Sequence, residues 1–133
     1  MANKANDINK RIPYTPTISA LGGTAPTYTS SGEYTMIGSM VTLTGAINFT
    51  ANGMAGQVRI VLPFRVVPTS IATIRHSYIA LPTNYTTLIG FAVDDGSNLR
   101  LDITGNNMAA AALGGNAIAN NAVIYFSLVA AIY

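Results

Sequence analysis

Cysteine and tryptophan are absent from the chain, and histidine occurs once, as His76. Without cysteine there is no disulfide and no thiolate ligand, so the sequence says nothing of redox compartment. One histidine and no thiolate cannot assemble a zinc site of the usual composition within one chain. Charge is scarce as well: seven basic and five acidic residues make up 9% of 133 residues, against about 25% in ordinary soluble domains. The net charge of +2 is too small and too dispersed for a nucleic-acid footprint. No run reaches the ~18–20 apolar residues that cross a bilayer as a helix. The start, MANKANDINKRIP, is polar and lacks the apolar core of a signal peptide.

These shortages also empty the catalytic inventory. His76, in RHSY, reads as a strand or loop residue with no base or nucleophile partner. Among the acids only Asp94 and Asp95 are adjacent, and neighbours in a turn do not frame a scissile bond as paired carboxylates must. The segment DDGSN lacks the alternating ligands and distal Glu of a calcium loop. Gly22-Gly23-Thr24 lacks the Lys-Ser/Thr that completes a phosphate cradle. No catalytic, cofactor-binding or metal-ligating residue is assigned, and the expectation is a protein that is not an enzyme and uses no cofactor.

What is present is alternation. Half the residues are apolar, and much of this half falls at every second position, the period of a half-buried strand. In Met40–Thr50, Val41, Leu43, Ile47 and Phe49 share one face, and Thr42, Thr44, Asn48 and Thr50 the other. Asn52-Gly53 then reads as a reverse turn, because both residues tolerate positive φ. Gln57–Leu62 returns with Val58, Ile60 and Leu62 inward and Arg59 outward. A second hairpin joins Thr86–Asp94, with Ile89, Phe91 and Val93 on its core face, to Leu99, Leu101 and Ile103 through the Asp94–Asn98 turn. Arg100 and Asp102 take the outer face.

Weaker strands are expected over Tyr14–Ala20, Glu33–Ile37, Ile71–Ala80 and Ala122–Ile132. The tract Gly105–Asn121 has no β pattern and reads either as a flexible loop or as a short helical turn capped by Asn107. Residues 1–12 form a flexible N-terminal arm and 13–133 one all-β domain. The expected architecture is a jelly-roll-like antiparallel β-sandwich of about eight strands. Its core holds Val41, Leu43, Phe49, Ile60, Leu62, Phe91, Leu101 and Phe126.

One set of motifs is familiar. Tyr14-Thr15-Pro16-Thr17, a Gly/Thr/Pro loop through Pro26, Gly32-x-Tyr34-Thr35-x-Ile37-Gly38-x-x-Val41, Gly45 and Val61-Leu62-Pro63-Phe64 together resemble β-sandwich and jelly-roll modules of tailed bacteriophages. The resemblance spans about the first half of the chain. Such domains occur as small capsid decoration (cement) proteins and at fibre tips. Only about a dozen polar residues precede Tyr14, with no stalk of heptads or glycine repeats, which suits decoration over a fibre tip or receptor-binding module.

The resemblance implies a structural protein made in the host cytoplasm and placed on the capsid exterior of the virion. The major capsid protein would be its partner, with no nucleic acid and no membrane involved. Lys4, Lys10 and Arg11 are the candidate capsid-docking arm. The last strand is apolar on both faces, either because it is central and covered or because it meets another subunit. Val123, Tyr125 and Tyr133 are the candidate interface of a dimer or trimer. Met108 and Leu113 are candidate contacts in the long loop.

Overall fold

Alternating sequence gives strands almost throughout, and the computed structural model describes residues 10–133 as eight of them, all antiparallel and in one domain. They are β1 (Ile12–Tyr14), β2 (Thr17–Ile37), β3 (Met40–Val61), β4 (Ile71–Ile79), β5 (Tyr85–Val93), β6 (Asn98–Gly105), β7 (Met108–Ala112) and β8 (Ile118–Ala131). Short 3-10 turns at Asp94–Gly96 and Gly115–Ala117 are the helical elements among the described residues.

The sheet order is β1-β2-β3-β8-β4-β5-β6-β7, and β6 pairs a second time, with the far end of β3. Arg59 opposes Arg100, Ile60 opposes Leu99 and Val61 opposes Asn98. That second pairing closes β3, β8, β4, β5 and β6 into a barrel, leaving β1, β2 and β7 outside it. A barrel of few strands has an interior that side chains fill. Val41, Leu43, Val58, Ile60, Leu99, Leu101 and Ile124 are fully withdrawn from solvent there. The pairing therefore closes a barrel, not the two facing sheets of a sandwich.

The largest departure from expectation lies at Asn52-Gly53. No hairpin turns there; β3 runs through the pair for 22 residues, with β2 beside it along its length. A type I′ turn needs positive φ at both central residues, and neither Asn52 nor Gly53 adopts it. Asn52 instead spends its side chain on other backbone. Its Nδ2 donates to the carbonyls of Gly115 (2.8 Å) and Ile118 (2.6 Å), and its Oδ1 accepts from Met54 N–H (2.9 Å).

What resembled a turn is a bend with bulges. Register shifts fall at Ala20/Gly22 and on both sides of Thr27, and Gly56 takes φ +73° where a side chain would be strained. Buried positions accordingly switch from odd (Val41, Leu43, Ile47, Phe49) to even (Met54, Val58, Ile60). The bend carries β3 from its pairing with β8 to its pairing with β6. It also folds β2 back: Ile18 N–H donates to the Tyr28 hydroxyl (2.9 Å), and the Ser30 hydroxyl donates to the Pro16 carbonyl (2.6 Å).

Two smaller corrections concern faces and loops. In β5 the buried residues are Leu88, Gly90 and Ala92, while Ile89, Phe91 and Val93 lie half-buried on the outer side. Phe91 therefore leaves the expected core, and the Arg100 guanidinium sits over its ring at 5.6 Å from the centroid, within the about 6 Å of a cation–π contact. The tract Gly105–Asn121 is neither loop nor helix: it contains β7, one 3-10 turn and the start of β8. Asn107 takes φ +57° in the β6–β7 turn, a role that asparagine tolerates better than most residues.

The last strand behaves as its pattern suggests. Ile124, Phe126 and Leu128 face the core. Phe126 lies directly across from Gly45, and a Cβ on that glycine would run into the ring. Gly45 is the space that admits the end of the ring against β3.

Candidate surface groove

The outer side of the sheet is built by the same registers that build the core. Along β2, β3, β8 and β4, residues pointing outward line up in cross-strand rows. Glu33 opposes Thr44, Thr44 opposes Ser127, and Ser127 opposes Thr73. One step along, Ser31 opposes Ala46, Ala46 opposes Tyr125, and Tyr125 opposes Arg75. Flanking rows begin with Thr35–Thr42–Val129 and Thr29–Asn48–Val123.

Between them the two central rows line a groove of about 650 Å³. It holds hydroxyls, one carboxylate, one guanidinium and the Tyr125 ring, which is 49% exposed. Arg11 Nη1 reaches Glu33 Oε1 at 3.0 Å, at the β2 side of the groove. The Thr73 hydroxyl donates to the Ser127 carbonyl at 3.3 Å.

A second polar group sits on the barrel at β6. Arg100 forms a two-pronged pair with Asp102, at 2.6 and 2.9 Å, and Asp102 is buried. The hydrogen bond to Asp102 raises the Arg100 pKa above its ordinary value; burial opposes it, and the charges of Asp102 and then Asp94 add to the rise. Arg59 Nε stands 2.8 Å from Asp94 Oδ2 without the geometry of a hydrogen bond, so the contact is an ion pair alone. Two cations face each other across β3 and β6, and two carboxylates hold them there. This is a structural clamp on the strand pair that closes the barrel.

Among the described residues, no three His, Asp or Glu side chains gather where they could share a metal ion. Asp94 and Asp95 serve the β5–β6 turn, where both take positive φ. His76 is half-buried opposite Ile124 of β8.

The candidate site residues scatter over the molecule. Lys4 lies outside the described residues, while Lys10 and Arg11 are exposed. Tyr125 lies in the groove and Val123 is its half-buried neighbour two positions along β8. Tyr133 is exposed beneath the Arg65 guanidinium, which stands 5.0 Å from its ring centroid. Met108 is exposed on β7. Leu113 was expected at an exposed contact loop but is only 1% exposed, and its N–H donates to the Leu101 carbonyl at 2.8 Å. That bond and the burial make it a core residue.

Register thus brings Tyr125 to one groove with Glu33 and Arg75, which sequence reasoning had not assigned, and Arg11 touches that groove's edge through its ion pair with Glu33. The outward parity of Thr44 and Thr42 was visible, but the strand neighbours were not. No family model matches the chain, and no curated protein matches it.

Proposed function

We propose that the protein is a non-enzymatic structural component of a virion: a capsid decoration protein that binds the shell of the major capsid protein from outside. The observation that carries this reading is a charge-poor exterior with large apolar side chains left in solvent. Leu21 is 68%, Val129 63% and Ile71 58% exposed, in a chain of which 9% of residues are charged. Exposed apolar surface with little charge around it favours burial against a partner. Binding only the assembled shell stabilises that shell by mass action. Such work needs a rigid all-β domain with faces to bury, which a closed barrel supplies as well as a sandwich does.

The same reasoning extends to self-association as a dimer or trimer through the outer face of β8. A charge placed at Tyr125 would stand unpaired in such a contact. Light scattering at micromolar protein should show an oligomer, and Tyr125→Lys should shift it toward monomer while circular dichroism stays unchanged. A monomeric wild type removes the self-association claim.

The groove favours a second reading, a fibre-tip or receptor-binding module, because a concave polar site serves recognition more than lattice packing does. Particles prepared with and without the protein separate the two. Decoration predicts that bare particles lose heat resistance and still adsorb to cells. Bare particles that keep their heat resistance and fail to adsorb would sink the decoration reading.

A further inference from the structure

We propose that the groove across β2, β3, β8 and β4 binds an acidic oligosaccharide, with a sugar carboxylate at Arg75 and a ring face on Tyr125. Sugars present hydroxyls that both donate and accept, and so do serine and threonine. Thr44, Ser127 and Thr73 place three hydroxyls in one row across three neighbouring strands. Their spacing follows the inter-strand distance of about 4.8 Å. Glu33 ends that row with an acceptor-only carboxylate, held by Arg11 at 3.0 Å.

Tyr125 presents a half-exposed ring in the adjacent row. An aromatic body with a polar tip suits the C–H face of a sugar together with its hydroxyl rim.

Charge decides the kind of sugar. Arg75 is exposed and stands directly across from Tyr125. Among the described residues no carboxylate lies within ion-pair distance of it. Its planar fork matches a carboxylate two-pronged. Arg11 pairs with Glu33 at 3.0 Å and offsets its charge, which leaves Arg75 to set the sign of the groove, so an anion is favoured.

The groove has the size of a small-ligand site, since about 650 Å³ lies within the range of such sites. From Glu33 to Thr73 is three inter-strand steps, about 14 Å, and Arg75 lies two residues along β4 from Thr73, which is the reach of a short oligosaccharide and not of a single ring. The site needs the Tyr125 ring free, so sugar binding and self-association through the outer face of β8 compete for this residue.

The test is an NMR titration of isotope-labelled protein with trigalacturonate, with sialyl-lactose, and with maltotriose as the neutral control. The expected result is millimolar or tighter binding of at least one acidic sugar, with amide shifts centred on Thr44, Ser127 and Arg75. Arg75→Ala should remove the preference for acidic over neutral sugar. Tyr125→Ala should weaken binding about tenfold, the loss of roughly one good contact. Both side chains are exposed, so both variants should keep the wild-type circular dichroism spectrum, and Met108→Ala should bind as wild type. The proposal is overturned if neither acidic sugar shifts the groove amides, if maltotriose binds as tightly as they do, or if both groove variants bind like the wild type.

Discussion

Leu43 and Thr44 are neighbours in one strand, yet one is fully withdrawn from solvent and the other lines an open groove. The contrast repeats along β8, where Ile124, Phe126 and Leu128 fill the barrel while Tyr125, Ser127 and Val129 face out. Both faces share one backbone and one set of hydrogen bonds, and the period of two alone separates them. The inner face holds the domain together by apolar burial. The outer face holds most of the hydroxyls and the one exposed guanidinium of the groove. Substitutions on one face should therefore leave the work of the other intact.

The largest expected effect comes from inside. Leu43→Ala should lower unfolding free energy by about 2–5 kcal/mol in urea denaturation, because the barrel cannot collapse fully around the lost atoms. A loss below one kcal/mol would mean that the two faces are less distinct than their burial indicates.

Asp102 sits on the outward parity and is nevertheless buried, so it probes the boundary between faces. Asp102→Ala should cost about 2–3 kcal/mol, below the 3–5 of a fully buried pair because Arg100 keeps some contact with water. Guanidinium chloride midpoints at constant slope would measure it. A neutral result would place the clamp with ordinary surface ion pairs.

Tyr14 tests the margin from the other direction. Its hydroxyl is buried without a partner, and burial raises its pKa well above the ordinary 10.0. The folded state then favours the neutral phenol, so this group's stabilisation is complete below pH 10 and declines as pH rises beyond it. Tyr14→Phe should raise stability by about 1 kcal/mol and flatten the alkaline decline. Thermal melts between pH 8 and 11 would show both.

The smallest effect belongs to the outer face. Thr44→Ala should change stability by less than about 0.5 kcal/mol, the clearest contrast with its neighbour Leu43.

Much of the core was legible in the residues because alternation reports burial directly, whereas the closure into a barrel was not. Val41, Leu43, Phe49, Ile60, Leu62, Leu101 and Phe126 are buried as their pattern requires. The Asp94–Asn98 turn was legible too, since its residues tolerate the positive φ that it uses. Asn52-Gly53 misled for a physical reason. A bulge that flips parity and a hairpin that reverses direction leave the same trace in a single sequence. The number of strands agreed by compensation: β3 absorbed two expected strands and β2 another two, while β1 and β7 were new.

Phe91 misled because apolar residues occupy both sides of β5. Gly90 and Ala92 face inward, where larger side chains were expected. The groove was legible only in halves. The polar parity of Thr42 and Thr44 is plain in the sequence, but that Arg75 stands beside Tyr125 follows from β8 lying between β3 and β4. No local pattern encodes that neighbour relation.

The place of β8 also bears on how the chain reaches its fold. It fills the gap between β3 and β4. Until it arrives, β2 and β3 can pair as a local ribbon and β5 and β6 as a local hairpin, but the ring stands open at its middle. Closing it joins residues far apart in the chain, as in Val41 with Ala130, and distant pairing of this kind slows folding. Until β8 docks, β3 holds an unpaired edge, and during that interval the chain is most exposed to pairing with a neighbour.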